Sequence, residues 1–278
     1  MKTLFDKISA NCSKNVTKTY STSFSFGIYF LNKKFHKPIY GIYGWVRLAD
    51  EIVDSFHNYD KTLLMQRLRA DTMQAIEDKI SLNPILNQFQ YAVHKYNIDW
   101  YLIDTFLKSM EMDILQKEHN EASYKQYILG SAEVVGLMCL SIFVEGDNVL
   151  YEKLKPFAMS LGSAFQKVNF LRDLKDDYNI LGRTYFPGVN FNAFSCKEKA
   201  RIQTEIDAEF EHALIGIKML PKASKGGVYL AYYYYKKLFL RIKETPAEKI
   251  MTARIRIPDI NKVGLMFNSL IRNQLNLL

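Results

Sequence analysis

The amino-acid sequence predicts an all-α protein, and three observations carry that prediction. Glycine and proline are scarce, 13 and 7 among 278 residues, where an average chain would hold roughly 12% of the two together. Between short polar or proline-containing breaks run stretches of roughly 15 to 30 residues with helical periodicity. No stretch alternates apolar and polar residues as a half-buried strand does.

The breaks fall near Asn32–Pro38, His57–Lys61, Leu82–Pro84, Lys117–Ser123, Glu145–Asn148, Pro187–Ser195, Pro221–Gly227 and Glu244–Glu248. They delimit about eight to ten helices. Leu63–Ile80 illustrates the pattern: Leu64, Met65, Leu68, Ala75 and Ile76 fall within an arc of about 120° at roughly 100° per residue, and Arg67, Glu77 and Asp78 lie outside it. With no repeat and no low-complexity linker, residues 1–278 read as a single helical domain.

Lys and Arg number 37 against 29 Asp and Glu, a formal charge of +8. Such a balance suits an anionic partner: nucleic acid, a membrane surface or phosphorylated small molecules. The basic residues are scattered and form no nucleic-acid-binding motif, so no nucleic-acid partner is expected. Cys12, Cys139 and Cys196 are odd in number, far apart and outside any CxxC pair, which excludes a disulfide framework and predicts a reducing compartment. The N-terminus carries no apolar signal core. The most apolar run, Val134 to Val144, has about eleven residues against the roughly 20 needed to cross a bilayer. The C-terminal FNSLIRNQLNLL is amphipathic but no membrane anchor. The expected location is the cytoplasm, peripheral to the membrane.

Two segments carry the chemistry. In Gly44–His57, Arg47, Asp50 and Asp54 project at roughly 0°, 300° and 340°. In Ala164–Gly188, Gln166, Asn169, Asp173 and Asp177 project at roughly 0°, 300°, 340° and 20°. Each set is one narrow polar stripe. The first helix is otherwise apolar nearly all round, with Ile42, Trp45, Val46, Leu48, Ala49, Ile52, Val53 and Phe56, and such a helix is buried. Like charges at i,i+4 disfavour a helix, and buried carboxylates are costly unless neutralised. A single DxxxD pair is usually a solvated face. Two pairs in apolar helices, the second preceded by an in-phase Gln and Asn, point to cation binding. Carboxylates and an amide carbonyl are hard oxygen ligands suited to Mg²⁺, which often bridges to substrate phosphates. Arg47, Arg172 and Arg183 would take the remaining phosphate oxygens.

At these residues the chain resembles the squalene/phytoene synthase family of head-to-head prenyl transferases. The family's R-x-x-D-D/E-x-x-D reads here as Arg47-LADEIV-Asp54. Its Q-x-x-N-I/L/F-x-R-D-x-x-x-D reads as Gln166, Asn169, Arg172, Asp173 and Asp177, and its G-R-x-Y-L/F-P as Gly182, Arg183, Tyr185, Phe186 and Pro187. Ser21-Thr22-Ser23-Phe24 resembles S-x-S-F, Met110-EMD resembles M-x-x-D, and Tyr127-ILGSAEVVGLM and Tyr235-KKLFLRI resemble two further family helices. Glu133 and Ser109 stand where the family commonly has Gly, and Glu133 puts a charge near the expected tail pocket.

The resemblance implies a class I isoprenoid synthase-like helical bundle around a central cavity. It implies Asp50, Asp54, Asn169, Asp173 and Asp177 as ligands of a cluster of about two or three Mg²⁺ ions bound with diphosphate. Ser21, Ser23, Phe24, Arg47, Gln166, Asn169, Arg172 and Arg183 would bind substrate. Tyr127, Tyr185 and Tyr235 would act on the reaction with the acidic residues, and Phe24 and Phe26 are further aromatic candidates for shielding a carbocation. The implied reaction ionises one prenyl diphosphate, captures its cation with a second, and passes through a cyclopropylcarbinyl diphosphate. The wording of Ala132–Cys139 and of Arg183-TYFP favours the phytoene-forming members, which join two C20 units without NADPH. Dehydrosqualene or squalene formation from C15 units is the alternative, and a non-catalytic assembly factor of the same fold is a second. Peripheral membrane contact and association with downstream carotenoid enzymes are also expected. Gly27, Gly136 and Ala132 are candidate small residues of the tail pocket, beside the bulky Phe24, Phe26 and Leu137.

Overall fold

The computed structural model describes residues 1–116, 118–176, 182–189, 194–250 and 255. Among them lie twelve α-helices: α1 (Lys2–Tyr20), α2 (Thr22–Tyr29), α3 (Lys33–Asp54), α4 (Lys61–Asp78), α5 (Pro84–Tyr96), α6 (Trp100–Leu115), α7 (Glu121–Ile128), α8 (Val134–Val144), α9 (Asn148–Asp176), α10 (Cys196–Met219), α11 (Lys222–Glu244) and α12 (Ala247–Ile250). A π-helical segment, Leu129–Glu133, joins α7 to α8. The described residues contain no strand; a single parallel bridge pairs Glu118 with Thr184.

The polar breaks are helix caps. The side chains of Ser21, Asn32, Asp60, Asn83 and Asp99 each accept a hydrogen bond from a backbone N–H in the first turn that follows. Asn120 with Ser123, and Ser195 with Glu198, form reciprocal capping boxes. Each cap satisfies a donor that the helix cannot.

The helix count exceeds the expected eight to ten because Ser21 and Asn97–Asp99 add two breaks and the π-helical segment separates α7 from α8. Two expected breaks are narrower than the sequence suggests: the chain breaks at residues 30–32 and 220–221, and the residues that follow are helical. Pro38 lies inside α3, where it removes a backbone donor. Phe35, Ile39 and Ile42 are buried on the same helix, and tertiary packing of this kind overrides local propensity. Gly226 and Gly227 lie inside α11. A Cβ on Gly227 would come within 2.6 Å of the Gly27 carbonyl and 2.5 Å of Leu31. Glycine is used there for close approach of α2 and α11, not for a turn.

One hydrophobic cluster joins α3, α4, α5, α6 and α8, with Trp45 at its centre. The Trp45 ring is fully buried, stacks on Phe89 at 4.2 Å and meets Phe106 at 4.8 Å. Its Nε1–H donates to Thr72 Oγ1 at 3.0 Å. A second cluster gathers α9, α10 and α11 with Tyr127, Phe170 and Tyr185. Residues of both clusters line one cavity.

The run from Glu121 to Val144 is continuous enough to reach 24 residues, long and apolar enough to cross a membrane by length and composition. The eleven-residue apolar stretch is thus part of a longer helical rod. More than half of its most apolar window is buried inside the protein, and Ala132, Val135, Gly136, Cys139, Leu140 and Phe143 line the cavity.

Trp45→Ala would delete this packing and the hydrogen bond to Thr72. It should destabilise the protein by about 3–5 kcal/mol, read as a lowered midpoint in urea with an unchanged denaturant slope.

Candidate active site

The cavity has a volume of about 650 Å³. Asp50 and Asp54 of α3, Asp113 of α6 and Asp173 of α9 all line it, and so do Arg47, Arg172 and Arg183. The two acidic helices therefore share one cavity. Asp177 lies outside the described residues.

The stripes form because the helices bury everything else. Around α3, Ile42, Trp45, Ala49, Ile52 and Val53 are buried, which fixes Arg47, Asp50 and Asp54 on the cavity side. On α9, burial of Ala164, Val168 and Leu171 turns Gln166, Asn169 and Asp173 to the cavity.

Arg183 is the main neutralising group. Its Nη1 donates to Asp54 Oδ1 at 2.9 Å and pairs with Asp113 Oδ2 at 3.2 Å. Its Nη2 reaches the Val53 carbonyl at 3.5 Å. Arg172 binds the adjacent Asp173, with Nε 3.0 Å from Oδ1. Arg47 pairs with Glu51 and lies over the Tyr20 ring, 4.1 Å from its centre. Burial, then the charge of Asp54, pushes the Asp50 carboxyl up to about 7 despite Arg47. Burial pushes Asp113 up to about 6, with Arg183 opposing. Carboxylates this crowded favour a bound cation.

Among the described residues, no three acidic, histidine or thiol side chains already form a metal-binding group. Asp50, Asp54, Asn169 and Asp173 are nevertheless hard oxygen donors around one cavity, in excess of what the arginines neutralise. That donor set fits Mg²⁺ held by few carboxylates with substrate phosphate oxygens completing its shell.

Below the charged groups the wall becomes aromatic. Tyr235 stacks on Phe165 at 4.0 Å and 18°, and Phe24 lies 5.9 Å from Tyr235. The Tyr235 hydroxyl donates to Asn169 Oδ1 at 3.2 Å. The hydroxyls of Tyr127 and Tyr185 both donate to Asp113, at 3.2 Å each. Burial and the Asp113 charge hold the Tyr127 phenol well above its ordinary range. Farther in, the wall is apolar, with Leu31, Leu140, Phe143, Leu154, Phe157 and Leu220.

Of the residues singled out in the sequence, Ser21, Phe24, Arg47, Asp50, Asp54, Tyr127, Gln166, Asn169, Arg172, Asp173, Arg183, Tyr185 and Tyr235 line the cavity. Ser23 does not: cavity positions on this stretch are Phe24, Gly27, Ile28 and Leu31, a helical phase that leaves Ser23 aside. The Ser21 hydroxyl also caps α2, accepting from Phe24 N–H at 3.2 Å. Gly27, Ala132 and Gly136 line the cavity, whereas Phe26 and Leu137 do not. Asp113 was assigned no role in the sequence, although Met110-EMD carried its signal. Phe165, Phe170 and Tyr20 had no sequence signal beyond adjacency to motif residues.

Glu133 lies beside cavity-lining residues, between Ala132 and Val135. It does not line the cavity. The charges that act on it are those of Glu209 and Lys167. The Lys167 ammonium is buried between α9 and α10, paired with Glu205 and, at 2.6 Å, with Glu209 Oε1. Ser163 Oγ donates to the same Glu209 oxygen at 2.7 Å. Burial first, then Glu209, pushes Glu133 up to about 7. A carboxyl raised in the fold lends its stability below its unfolded value near 4.5 and loses it as pH rises through 7. Glu133→Gln should therefore raise the thermal midpoint at pH 8 and leave it nearly unchanged at pH 4. Equal shifts at both pH values would contradict the assignment.

The sequence profile of the family described as Squalene/phytoene synthase matches residues 17–260. The 15-cis-phytoene synthase of Pantoea ananas is 24% identical over 254 residues, covering 81% of this chain and 79% of that one. The presqualene diphosphate synthase of Sinorhizobium fredii is 27% identical over 206 residues, covering 73% and 67%. A dehydrosqualene synthase crystal structure superposes with a TM-score of 0.82 at 18% identity, covering 97% of this chain and 98% of that one.

Proposed function

The chain belongs to the squalene/phytoene synthase family, and from that premise we propose that it joins two geranylgeranyl diphosphates head to head into 15-cis-phytoene. The observation that carries the reading is a single cavity with carboxylates and arginines at one end and aromatic and apolar side chains along the rest.

Arg47, Arg172 and Arg183 bind the diphosphate oxygens and stabilise negative charge as the first allylic C–O bond breaks. Asp50, Asp54, Asn169 and Asp173 would hold Mg²⁺, which when bound would supply Lewis-acid stabilisation of the same leaving group. The faces of Phe24, Phe165 and Tyr235 stabilise the allylic cation without capturing it and keep water away. The alkene of the second substrate adds to that cation. Loss of one proton closes the cyclopropane and gives the cyclopropylcarbinyl diphosphate. Tyr127 is suited to take this proton while its own hydroxyl proton passes to Asp113, a carboxylate within hydrogen-bond reach. The second diphosphate then leaves from the same charged end, the cation rearranges, and a second proton loss ends the sequence without a reductant.

Chain length is a question of cavity depth. The wall includes Ala132, Ala158, Ala213 and Ala231, small side chains that leave room for a C20 tail. The resemblance to a 15-cis-phytoene synthase points the same way. The presqualene-forming relative and the dehydrosqualene synthase fold keep C15 chemistry as the competing reading.

Mass spectrometry of hydrocarbons made with Mg²⁺ from C15 and C20 diphosphates, with and without NADPH, tests this. C40 product from the C20 substrate without NADPH is expected. Exclusive C30 product, or a strict NADPH requirement, would overturn it. In the same assay Asp50→Asn and Asp173→Asn should lower turnover by on the order of 10²-fold or more with the helical circular dichroism retained.

A further inference from the structure

His119 takes no part in the account so far, and it follows Glu118, the residue bridged to Thr184. The bridge ties the loop before α7 to the segment that carries Arg183 and Tyr185. The His119 side chain is 8% exposed. Its ring lies 5.7 Å from Tyr185 at 19° and 5.1 Å from Tyr127 at 44°. Those two tyrosine rings are themselves 5.3 Å apart at 26°. Phe170 completes the group, 4.0 Å from Tyr185 at 7° and 6.0 Å from Tyr127 at 28°. Each tyrosine thus has a ring neighbour on α9, Phe170, and another on the loop, His119.

The hydroxyls at the far end of this group are the two that meet Asp113, and Asp113 in turn pairs with Arg183. A tyrosine rotates its hydroxyl through about two side-chain torsions, so the ring faces decide where the oxygen sits. Removing one face frees the hydroxyls to leave Asp113 for the cavity. His119 Nδ1 is buried with no hydrogen-bond partner, so the ring acts here through its face and not through that nitrogen. Burial keeps the imidazole below its ordinary range, against a backbone hydrogen bond at Ser123 and with the nearby Arg183 charge adding to it, so the ring meets the tyrosines uncharged at neutral pH.

We propose that His119 is a positioning residue: its ring face holds the Tyr127 and Tyr185 hydroxyls on Asp113 and so sets the geometry of proton loss. The inference rests on the prenyl-transfer reading of the cavity for its catalytic consequence, but its geometric content does not.

The test compares His119→Gln, which keeps a polar side chain and loses the ring, with His119→Phe, which keeps the ring and loses the nitrogens. With C20 diphosphate and Mg²⁺, H119Q should lose on the order of 10-fold or more in kcat with KM changed less than about twofold, and H119F should recover most of the loss. A KM effect without a kcat effect, a near-normal H119Q, or an H119F as impaired as H119Q would overturn the proposal. Ultraviolet titration of the phenols needs no substrate. The difference titration of each protein against its own Tyr127→Phe variant isolates the Tyr127 phenol: its ionisation should begin at lower pH in H119Q than in the wild type, and in H119F it should not; identical difference titrations in wild type and H119Q would contradict the positioning role. If the wild type forms no hydrocarbon, the functional reading fails on its own, while the titration still decides the geometry. A variant that does not fold is replaced by H119N, judged by the same two readouts.

Discussion

Four carboxylates, those of Asp50, Asp54, Asp113 and Asp173, share one cavity wall, and that crowding of like charge is the constraint on which the rest of the structure depends. Removing carboxylates from water costs several kcal/mol each unless they are paired. The pairing is supplied from a distance in sequence. Arg183 reaches back across 129 positions to Asp54 and at once to Asp113. Arg183 thus ties the charged ends of α3 and α6 together, while Arg172 neutralises its own neighbour Asp173 on α9. The raised Asp50 and Asp113 carboxyls show that the neutralisation is incomplete. An incompletely neutralised cluster open to a cavity suits a cationic, phosphate-bearing ligand better than an empty one.

The apolar depth of the cavity follows from the opposite rule. Helices must approach one another closely enough to enclose space without filling it. Gly162 and Gly136 allow α9 to pass the π-helical segment and α8, where a Cβ would come within 2.7 Å of the Ala132 carbonyl and 3.0 Å of the Ala158 carbonyl. The π-helical turn at Leu129–Glu133 begins two residues after Tyr127, and such irregular turns recur at functional sites. Glu133, just past the cavity wall, joins a separate buried ionic cluster with Lys167 and Glu209. The charge near the tail pocket is thus kept outside it.

The polar stripes were legible because the helix period is fixed. Asp50 and Asp54, and Gln166, Asn169 and Asp173, fall in phase on helices whose other faces are apolar, so no tertiary knowledge was needed to place them together. Two local rules misled. Pro38 reads as a break but is carried by the buried packing around it, and Gly226-Gly227 reads as a turn but serves a close helix crossing. Ser23 shares a motif with Ser21 and Phe24 but not their helical phase. Asp113 and His119 were harder. A lone acid on a helix and a lone histidine in a loop acquire meaning only when Arg183, Tyr127 and Tyr185 arrive beside them from other elements. Contacts at that sequence separation leave no periodic trace.

The central claim is that the carboxylates and arginines form half of a site whose other half is a metal-bound diphosphate. Calorimetric titration of inorganic diphosphate into the protein, with and without Mg²⁺, tests it without relying on turnover. The account predicts tight binding with Mg²⁺, weaker by on the order of tenfold or more without it. Equal affinity in the presence and absence of the metal would contradict it.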